Sequence, residues 1–92
     1  MEWTVTVKKK VSKEIPKLPD SVKANLIALI REMEFGGPVR GNWQNYGKLF
    51  DGLHHCHLKK GKPCYVAVWE VKDKEIRLIE VCYVGTHEKA PY

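Results

Sequence analysis

The sequence predicts a single α+β domain, in which two helices pack together against one face of an antiparallel-rich sheet. Three observations lead to this prediction: an alternating apolar segment near the start, two segments of helical periodicity, and three further strand-like segments joined by short turns. The order is strand, helix, helix, strand, strand, strand, and segregated helices and strands are typical of α+β domains. With 92 residues the chain is too short to divide, so we assign residues 1–92 to one domain.

The first strand and the first helix follow from the spacing of apolar residues. Residues 3–8 alternate between apolar and polar side chains, which indicates a half-buried strand. Val11, Ile15 and Leu18 then recur at helical spacing. Pro16 lies inside this segment and lacks the backbone N–H that a continuous helix needs, so we expect a short or broken helix.

A longer second helix is predicted between a start signal at residues 19–21 and a stop signal at residues 35–38. Pro, Asp and Ser at the start favour helix initiation, and Gly-Gly-Pro at the end favours termination. We expect Met33 and Phe35 to lie in the core. The apolar stripe of the helix consists of Val22, Leu26, Leu29, Ile30 and Met33.

The second half of the chain is predicted to hold a long loop, three strands and a short tail. Trp43 is expected to anchor the loop at residues 39–52 to the body of the protein, together with Tyr46, Leu49 and Phe50; stacking of Trp43 on a base is the alternative. The short turns require antiparallel neighbours. The predicted strands are residues 53–59, 65–72 and 75–84, the turns are 60–63 and 72–74, and the tail is 84–92.

Charge and composition narrow the function classes. The chain carries 16 Lys and Arg against 11 Asp and Glu, a net charge of +5 that suggests a polyanionic partner such as nucleic acid. The cations are spread along the chain, so any anion site must be built by folding. We expect no signal peptide and no membrane segment. Three cysteines without paired spacing argue against a disulfide framework, and we expect a cytoplasmic protein with reduced thiols.

Three of the four histidines fall within four residues, in the run His54-His55-Cys56-His57. In a strand, His55 and His57 share one face, whereas Cys56 and Leu58 share the other, with His54 at its mouth. Because Leu58 is apolar, that second face is assigned to the core. His55 and His57 are therefore expected to point outward, about 7 Å apart.

Three interpretations of this histidine pair remain open on the residues alone. The side chains are solvated surface groups, or they chelate a metal with Cys64 or His87 as further ligands, or they perform acid–base chemistry. No HExxH or paired-cysteine pattern supports a metal. Histidine ionises near neutral pH, and nearby lysines can offset charge on a phosphorane, which suits phosphodiester cleavage. Strand order, which spacing does not fix, decides whether His87 joins the pair.

Several segments in this order resemble the RelE/HigB-like toxins of bacterial toxin–antitoxin modules. They include residues 15–29 with the Lys-Leu-Pro junction between the helices, and residues 46–53 leading into the first hairpin strand. The middle strand at 65–71, the Val-Gly-Thr-His run at 84–87 and the near-terminal Tyr92 complete the likeness, which covers nearly the whole chain.

The resemblance implies a fold, an activity and partners. Such toxins cleave mRNA, often on the ribosome, by attack of the 2′-hydroxyl, and they use no metal or cofactor. An antitoxin, often a helix-turn-helix DNA-binding protein, neutralises them. The resemblance therefore implies that this chain is an endoribonuclease whose partners are a cognate antitoxin, the ribosome and mRNA, with no membrane partner.

The resemblance also implies site residues. His55 and His57 match the two outward positions of the first hairpin strand, His87 matches the basic position after the last strand, and Tyr92 matches the terminal tyrosine. These four are the implied catalytic residues, with one histidine as base and another as acid. Val66 stands where the family places an arginine on the middle strand.

With that arginine absent, phosphate or RNA contacts are assigned to Lys59, Lys60, Lys62 and Arg77, although the lysine turn also fits a solvated hairpin tip. Three other functions remain: a ParE-like toxin that poisons gyrase, a degenerate toxin that only binds RNA or its antitoxin, and a metal-binding module.

Overall fold

The computed structural model describes residues 2–92 and has an α+β architecture, as predicted. Two helices, α1 and α2, precede most of a five-stranded sheet. The helices are α1 (Lys9–Glu14) and α2 (Asp20–Gly36), with short 3₁₀ segments at Ile15–Lys17 and His87–Lys89. The strands are β1 (Thr4–Val7), β2 (Gly47–Lys48), β3 (Leu53–Lys59), β4 (Tyr65–Asp73) and β5 (Leu78–Thr86).

The strands lie in the order β1-β5-β4-β3-β2, and every neighbouring pair except one is antiparallel. The exception is β1, which runs parallel to β5, with Thr4 opposite Leu78 and Val7 opposite Val81. The sheet is therefore mixed. No hairpin ties β1 to its neighbour, because α1 and α2 carry the chain across the sheet before the later strands begin, and a crossover of this kind permits parallel pairing.

Both helices pack on one face of the sheet, where they form the core. The predicted stripe of α2 is buried at Val22, Leu26, Leu29 and Met33, and Ile30 packs against its edge. Trp69 of β4 is fully buried at the centre, with its indole N–H donating to the carbonyl of Pro38 at 3.0 Å. Burying a side chain of this size stabilises the fold by about 2–3 kcal/mol.

Both helices end at the signals that the sequence predicts. α1 gives way to a 3₁₀ turn at Pro16, which cannot supply the N–H of a further helical turn. α2 ends at Gly36, and Gly37 caps it with a φ of 86°, a conformation that favours glycine. The prediction for Phe35 was wrong: its side chain is 73% exposed, because it lies outside the buried stripe of α2.

The second half differs from the prediction in one additional strand and in the bounds of the last two strands: β4 ends at Asp73 and not at residue 72, and β5 ends at Thr86 and not at residue 84. Part of the predicted loop forms β2, because Gly47 and Lys48 pair with His55 and His54 along the edge of β3. The last strand begins at Leu78 and not at residue 75. The Asp73 carboxylate accepts the N–H groups of residues 75 and 76, which holds the chain in a turn until Leu78.

The loop before β2 is fixed to α2 by polar contacts, and Trp43 has the predicted anchoring position. Its indole N–H donates to Glu32 Oε1 at 3.0 Å, and Asn42 and Arg40 also contact this carboxylate. These partners hold the pKa of Glu32 below its usual value, with the Asn42 hydrogen bond as the largest cause. Phe50, in contrast, is 69% exposed and does not anchor the loop. None of the helices in residues 2–92 is long and apolar enough to cross a membrane.

Candidate catalytic site on the open sheet face

We call the sheet face that is turned away from α1 and α2 the open face. Along β3, burial alternates: His54, Cys56 and Leu58 are buried on the helix side, whereas His55 and His57 are half-buried on the open face. This alternation follows from the two-residue repeat of a strand. The apolar Leu58 and the small Cys56 fill the core, so the remaining two histidines face away from it.

The strand order brings the fourth histidine to the same place. β4 lies between β3 and β5, and Val66 pairs with His57 on one side and with Gly85 on the other. His87 follows the end of β5, where its backbone N–H donates to the Cys64 carbonyl at 2.8 Å. The His57 and His87 rings meet edge to face, with their centroids 5.4 Å apart.

The C-terminal tail turns back over the open face, so Tyr92 joins the histidines. Its ring centroid lies 4.6 Å from that of His55 and 5.8 Å from that of His87. The four residues that the resemblance assigns to catalysis therefore form one cluster, which we call the His/Tyr cluster: His55, His57, His87 and Tyr92.

Burial and neighbouring cations shape the titration of this cluster. The pKa of His55 is lowered, first by burial and then by His57 and His87. The pKa of His57 is lowered by burial, then by His87 and Lys60. Burial raises the pKa of Tyr92, which keeps its hydroxyl protonated at neutral pH. His55 and His57 are therefore mainly neutral near pH 7 and able to accept a proton.

His55 is closely enclosed. Its Nδ1 is buried and has no hydrogen-bond partner among the described residues. On its other side lies Gly47 of β2, where a Cβ atom would come within 3.0 Å of His55 Nε2. A side chain at Gly47 would therefore displace the ring. The sequence does not predict this constraint, because it depends on the pairing of Gly47 with His55 across β2 and β3.

Cys64 contacts the cluster through its side chain. Its Sγ lies 3.3 Å from His57 Nδ1, within hydrogen-bond distance for sulfur. The sequence offered Cys64 only as a metal ligand, and its proximity to His57 depends on the β3–β4 hairpin. Within residues 2–92, the one group of three possible ligand atoms within 4.8 Å of one another is elsewhere, at Glu70, Glu80 and Cys82. Lys72 pairs with both of those carboxylates.

The three lysines of the β3–β4 hairpin lie beside the cluster in two different cavities. A cavity of about 520 Å³ is lined by His57, Cys64 and His87 together with Lys62. A second cavity, of about 480 Å³, places Lys59 and Lys60 beside His57. All three lysines are exposed.

Two other positions add no positive charge beside the histidines. Arg77 precedes β5, at the opposite end of that nine-residue strand from His87, a separation of about 30 Å along the strand. It lines a different cavity, with Lys48 and Lys74. Val66 pairs with His57 from β4, and its apolar, fully buried side chain supplies no cation to the open face.

His54 belongs to the core. Its Nδ1 lies 2.7 Å from the hydroxyl of Tyr46, and its ring stacks on Trp69 at 5.8 Å between centroids. It is 5% exposed, and burial lowers its pKa. His54 is thus a neutral core side chain, separated from the His/Tyr cluster by the sheet.

No model of a known protein family matches the chain, and no curated protein matches its sequence. Solved structures do match. RelE of the archaeal RelE–RelB complex from Pyrococcus horikoshii has a TM-score of 0.71 at 16% identity, over 98% of this chain and 100% of that one. A mutant of E. coli toxin RelE in the free state has a TM-score of 0.72 at 21% identity, over 98% of this chain and 88% of that one.

A toxin–antitoxin complex of Mycobacterium tuberculosis, RelBE2, contains a chain that matches with a TM-score of 0.55 at 19% identity, over 95% of this chain and 100% of that one. These structures come from an archaeon and two bacteria, and in each case nearly all of this chain is aligned. The identities are low, so what is shared is the arrangement of helices and strands. The chain therefore has the fold of the RelE toxins.

Proposed function

We propose that this protein is the toxin of a toxin–antitoxin pair and that it cleaves mRNA on the ribosome. The observation that carries the proposal is the convergence of His55, His57, His87 and Tyr92 on the open face. Groups that exchange protons near neutral pH are what phosphodiester cleavage without a metal requires. The shared fold and the resemblance in sequence point to the same activity.

The reaction needs one group to accept a proton and one to donate it. A histidine removes the proton of the 2′-hydroxyl, whose oxygen attacks the adjacent phosphorus. The bond to the 5′-oxygen breaks, and a second group protonates that oxygen, which leaves a 2′,3′-cyclic phosphate and a 5′-hydroxyl. His57 and His87, edge to face at 5.4 Å, can flank one phosphate, and Tyr92 can position the nucleotide.

Lysines supply positive charge at the phosphate. Because Val66 stands where the family has an arginine, the charge on the phosphorane must be offset from the β3–β4 hairpin. Lys60 and Lys62 line cavities that His57 also lines, and Lys59 adjoins Lys60. Arg77, at the far end of the sheet, is assigned to RNA beyond the scissile nucleotide.

The proposed partners are a cognate antitoxin, the ribosome and mRNA, and the proposed activity places the protein in the cytoplasm. RelE–RelB and RelBE complexes among the structural neighbours support the antitoxin. We assign the antitoxin to the helix-turn-helix class because that class accompanies the family in the resemblance.

In vitro translation followed by primer extension tests the activity. We expect the wild-type protein to generate truncated messages and His87→Ala to lower their yield at least about a hundredfold, since general acid–base groups contribute at least that much. The matched control is Lys89→Ala, two residues further on and also exposed. An intact message with both the wild type and His87→Ala contradicts the ribonuclease proposal.

One observation favours a second function. Val66 stands where an arginine is expected beside the phosphate, which fits a degenerate toxin that only binds RNA or its antitoxin. In that case the wild type binds antitoxin and leaves the message intact. A gyrase supercoiling assay with the same preparation separates both possibilities from a ParE-like activity.

A further inference from the structure

Cys64 contacts two histidines of the His/Tyr cluster, one through its backbone and one through its side chain. Its carbonyl oxygen accepts the backbone N–H of His87 at 2.8 Å, and its Sγ lies 3.3 Å from Nδ1 of the His57 ring. The residue directly precedes β4 at the base of the hairpin, where the chain passes between the ends of β3 and β5. It also lines the cavity that both histidines line.

The other cysteines have no such contact in the structure. Cys56 is fully buried in the core, and burial raises its pKa to about 12. The Cys82 thiol donates to the carbonyl of Glu80 at 3.4 Å. Cys82 is half-buried, as Cys64 is, and therefore offers a matched control for substitution of a partly buried cysteine.

The direction of the bond between Cys64 and His57 follows from the two groups. A neutral imidazole has one nitrogen that accepts and one that carries hydrogen. A thiol has one S–H donor and only a weak acceptor in sulfur, whereas an unprotonated imidazole nitrogen is a strong acceptor. The favoured arrangement is therefore S–H donating to Nδ1, with the hydrogen of the ring on Nε2.

We propose that Cys64 is a positioning residue: its thiol donates to Nδ1 of His57, orients the ring, and fixes the neutral tautomer that carries hydrogen on Nε2. This inference rests on the proposed function only where roles in the reaction are concerned. There, a His57 that presents Nε2–H donates a hydrogen bond to the phosphate.

Nitrogen NMR of the histidine rings tests the tautomer without any need for ribonuclease activity. In the wild type above pH 7, we expect the Nε2–H form at His57, with Nδ1 unprotonated. Cys64→Ser keeps a donor and retains this form, Cys64→Ala gives a mixture of both tautomers, and Cys82→Ala leaves His57 unchanged. Nδ1–H in the wild type, or an unchanged tautomer in Cys64→Ala, overturns the proposal.

Single-turnover cleavage adds the functional readout. We expect Cys64→Ala to lower the cleavage rate at least about tenfold with little change in KM, because the ring is still present but no longer oriented. Cys64→Ser should recover part of the loss, and Cys82→Ala should match the wild type. Equal rates for Cys64→Ala and wild type contradict the positioning role. If no protein cleaves while the wild type shows the predicted tautomer, the proposed function fails and the assignment of Cys64 to His57 stands.

Circular dichroism and thermal unfolding establish that the Cys64 variants fold. Should Cys64→Ala fail to fold, the wild type and Cys64→Ser decide the question, since both must show Nε2–H at His57.

Discussion

Identical side chains take different roles here because their surroundings differ. His54, His55 and His57 lie within four residues of one strand, yet His54 is a core residue stacked on Trp69, whereas the other two face Tyr92 and His87. The alternation of the strand was readable from the sequence, and the outward direction of His55 and His57 was therefore predictable. The contact between Cys64 and His57 was not, because it depends on where the β3–β4 hairpin turns.

Burial of His54 predicts a dependence of stability on pH. Its folded pKa lies below the ordinary value, so between the two values the unfolded chain binds more protons, and the free energy of unfolding falls as pH drops below about 6.5. His54→Phe, which keeps an aromatic ring on Trp69, should reduce this slope by up to about 1.4 kcal/mol per pH unit.

Urea unfolding between pH 5 and 7.5 measures the effect of His54→Phe, with Tyr46→Phe as control. The control removes the hydroxyl beside His54 but leaves the ring buried, so most of the slope should persist. Identical slopes for His54→Phe and the wild type would show that His54 is already accessible to protons in the folded state.

Among the elements, the C-terminal tail supplies the last member of the His/Tyr cluster, Tyr92. It leaves β5 through a 3₁₀ turn at His87–Lys89 and then lies against β3, which sets Tyr92 between His55 and His87. The sequence left open whether this tail frays or folds back. Apolar surface decides the matter: Val66 and Val68 on the open face are almost fully buried, and an uncovered sheet face would leave them in water.

Substitutions at Tyr92 separate its ring from its hydroxyl. Because Tyr92 contacts both histidines through its ring, Tyr92→Phe should cleave within about threefold of the wild type, whereas Tyr92→Ala should lose about tenfold or more through poorer positioning. Single-turnover cleavage of a programmed ribosome is the measurement. If Tyr92→Phe cleaved as slowly as Tyr92→Ala, the hydroxyl and not the ring would be the group that contributes to cleavage.

At the scale of the whole molecule, part of the positive charge lies at two ends of the sheet, and the rest is spread over other segments, including α1. Lys59, Lys60 and Lys62 lie at the end that carries the His/Tyr cluster, and Arg77 lies with Lys48 and Lys74 at the other. An RNA that contacts both ends must cross the sheet. Bound phosphates release counterions, so affinity falls with salt in proportion to the number of contacts.

Charge reversal at the hairpin tests this division. Lys60→Glu with Lys62→Glu lowers the net charge from +5 to +1, and so does the control, Lys9→Glu with Lys10→Glu on α1. Only the hairpin variant should weaken binding to ribosomes programmed with mRNA and flatten the salt dependence, by about 0.7 in the logarithmic slope for each lost contact. Fluorescence anisotropy at increasing KCl measures both. Equal losses in the two variants would mean that net charge alone drives binding.

Local sequence patterns specify the order of the two helices and the four longer strands, the buried stripe of α2, the stop at Gly36 and Gly37, and the outward face of β3. These depend on neighbours within a few residues, so the period of apolar side chains and the conformational limits of glycine and proline suffice to specify them. Three features appear only in the tertiary structure: the parallel pairing of β1 with β5, the edge strand β2, and the separation of Arg77 from the histidines.

The His/Tyr cluster also forms only in the tertiary structure. His57 and His87 are thirty positions apart in the chain and meet because β4 lies between their strands, and Tyr92 reaches His55 because the tail covers the open face. Local periodicity specifies which side of a strand a residue takes. Contacts between distant segments depend on how the sheet is ordered and on which apolar surface each segment must cover, and no local pattern contains that information.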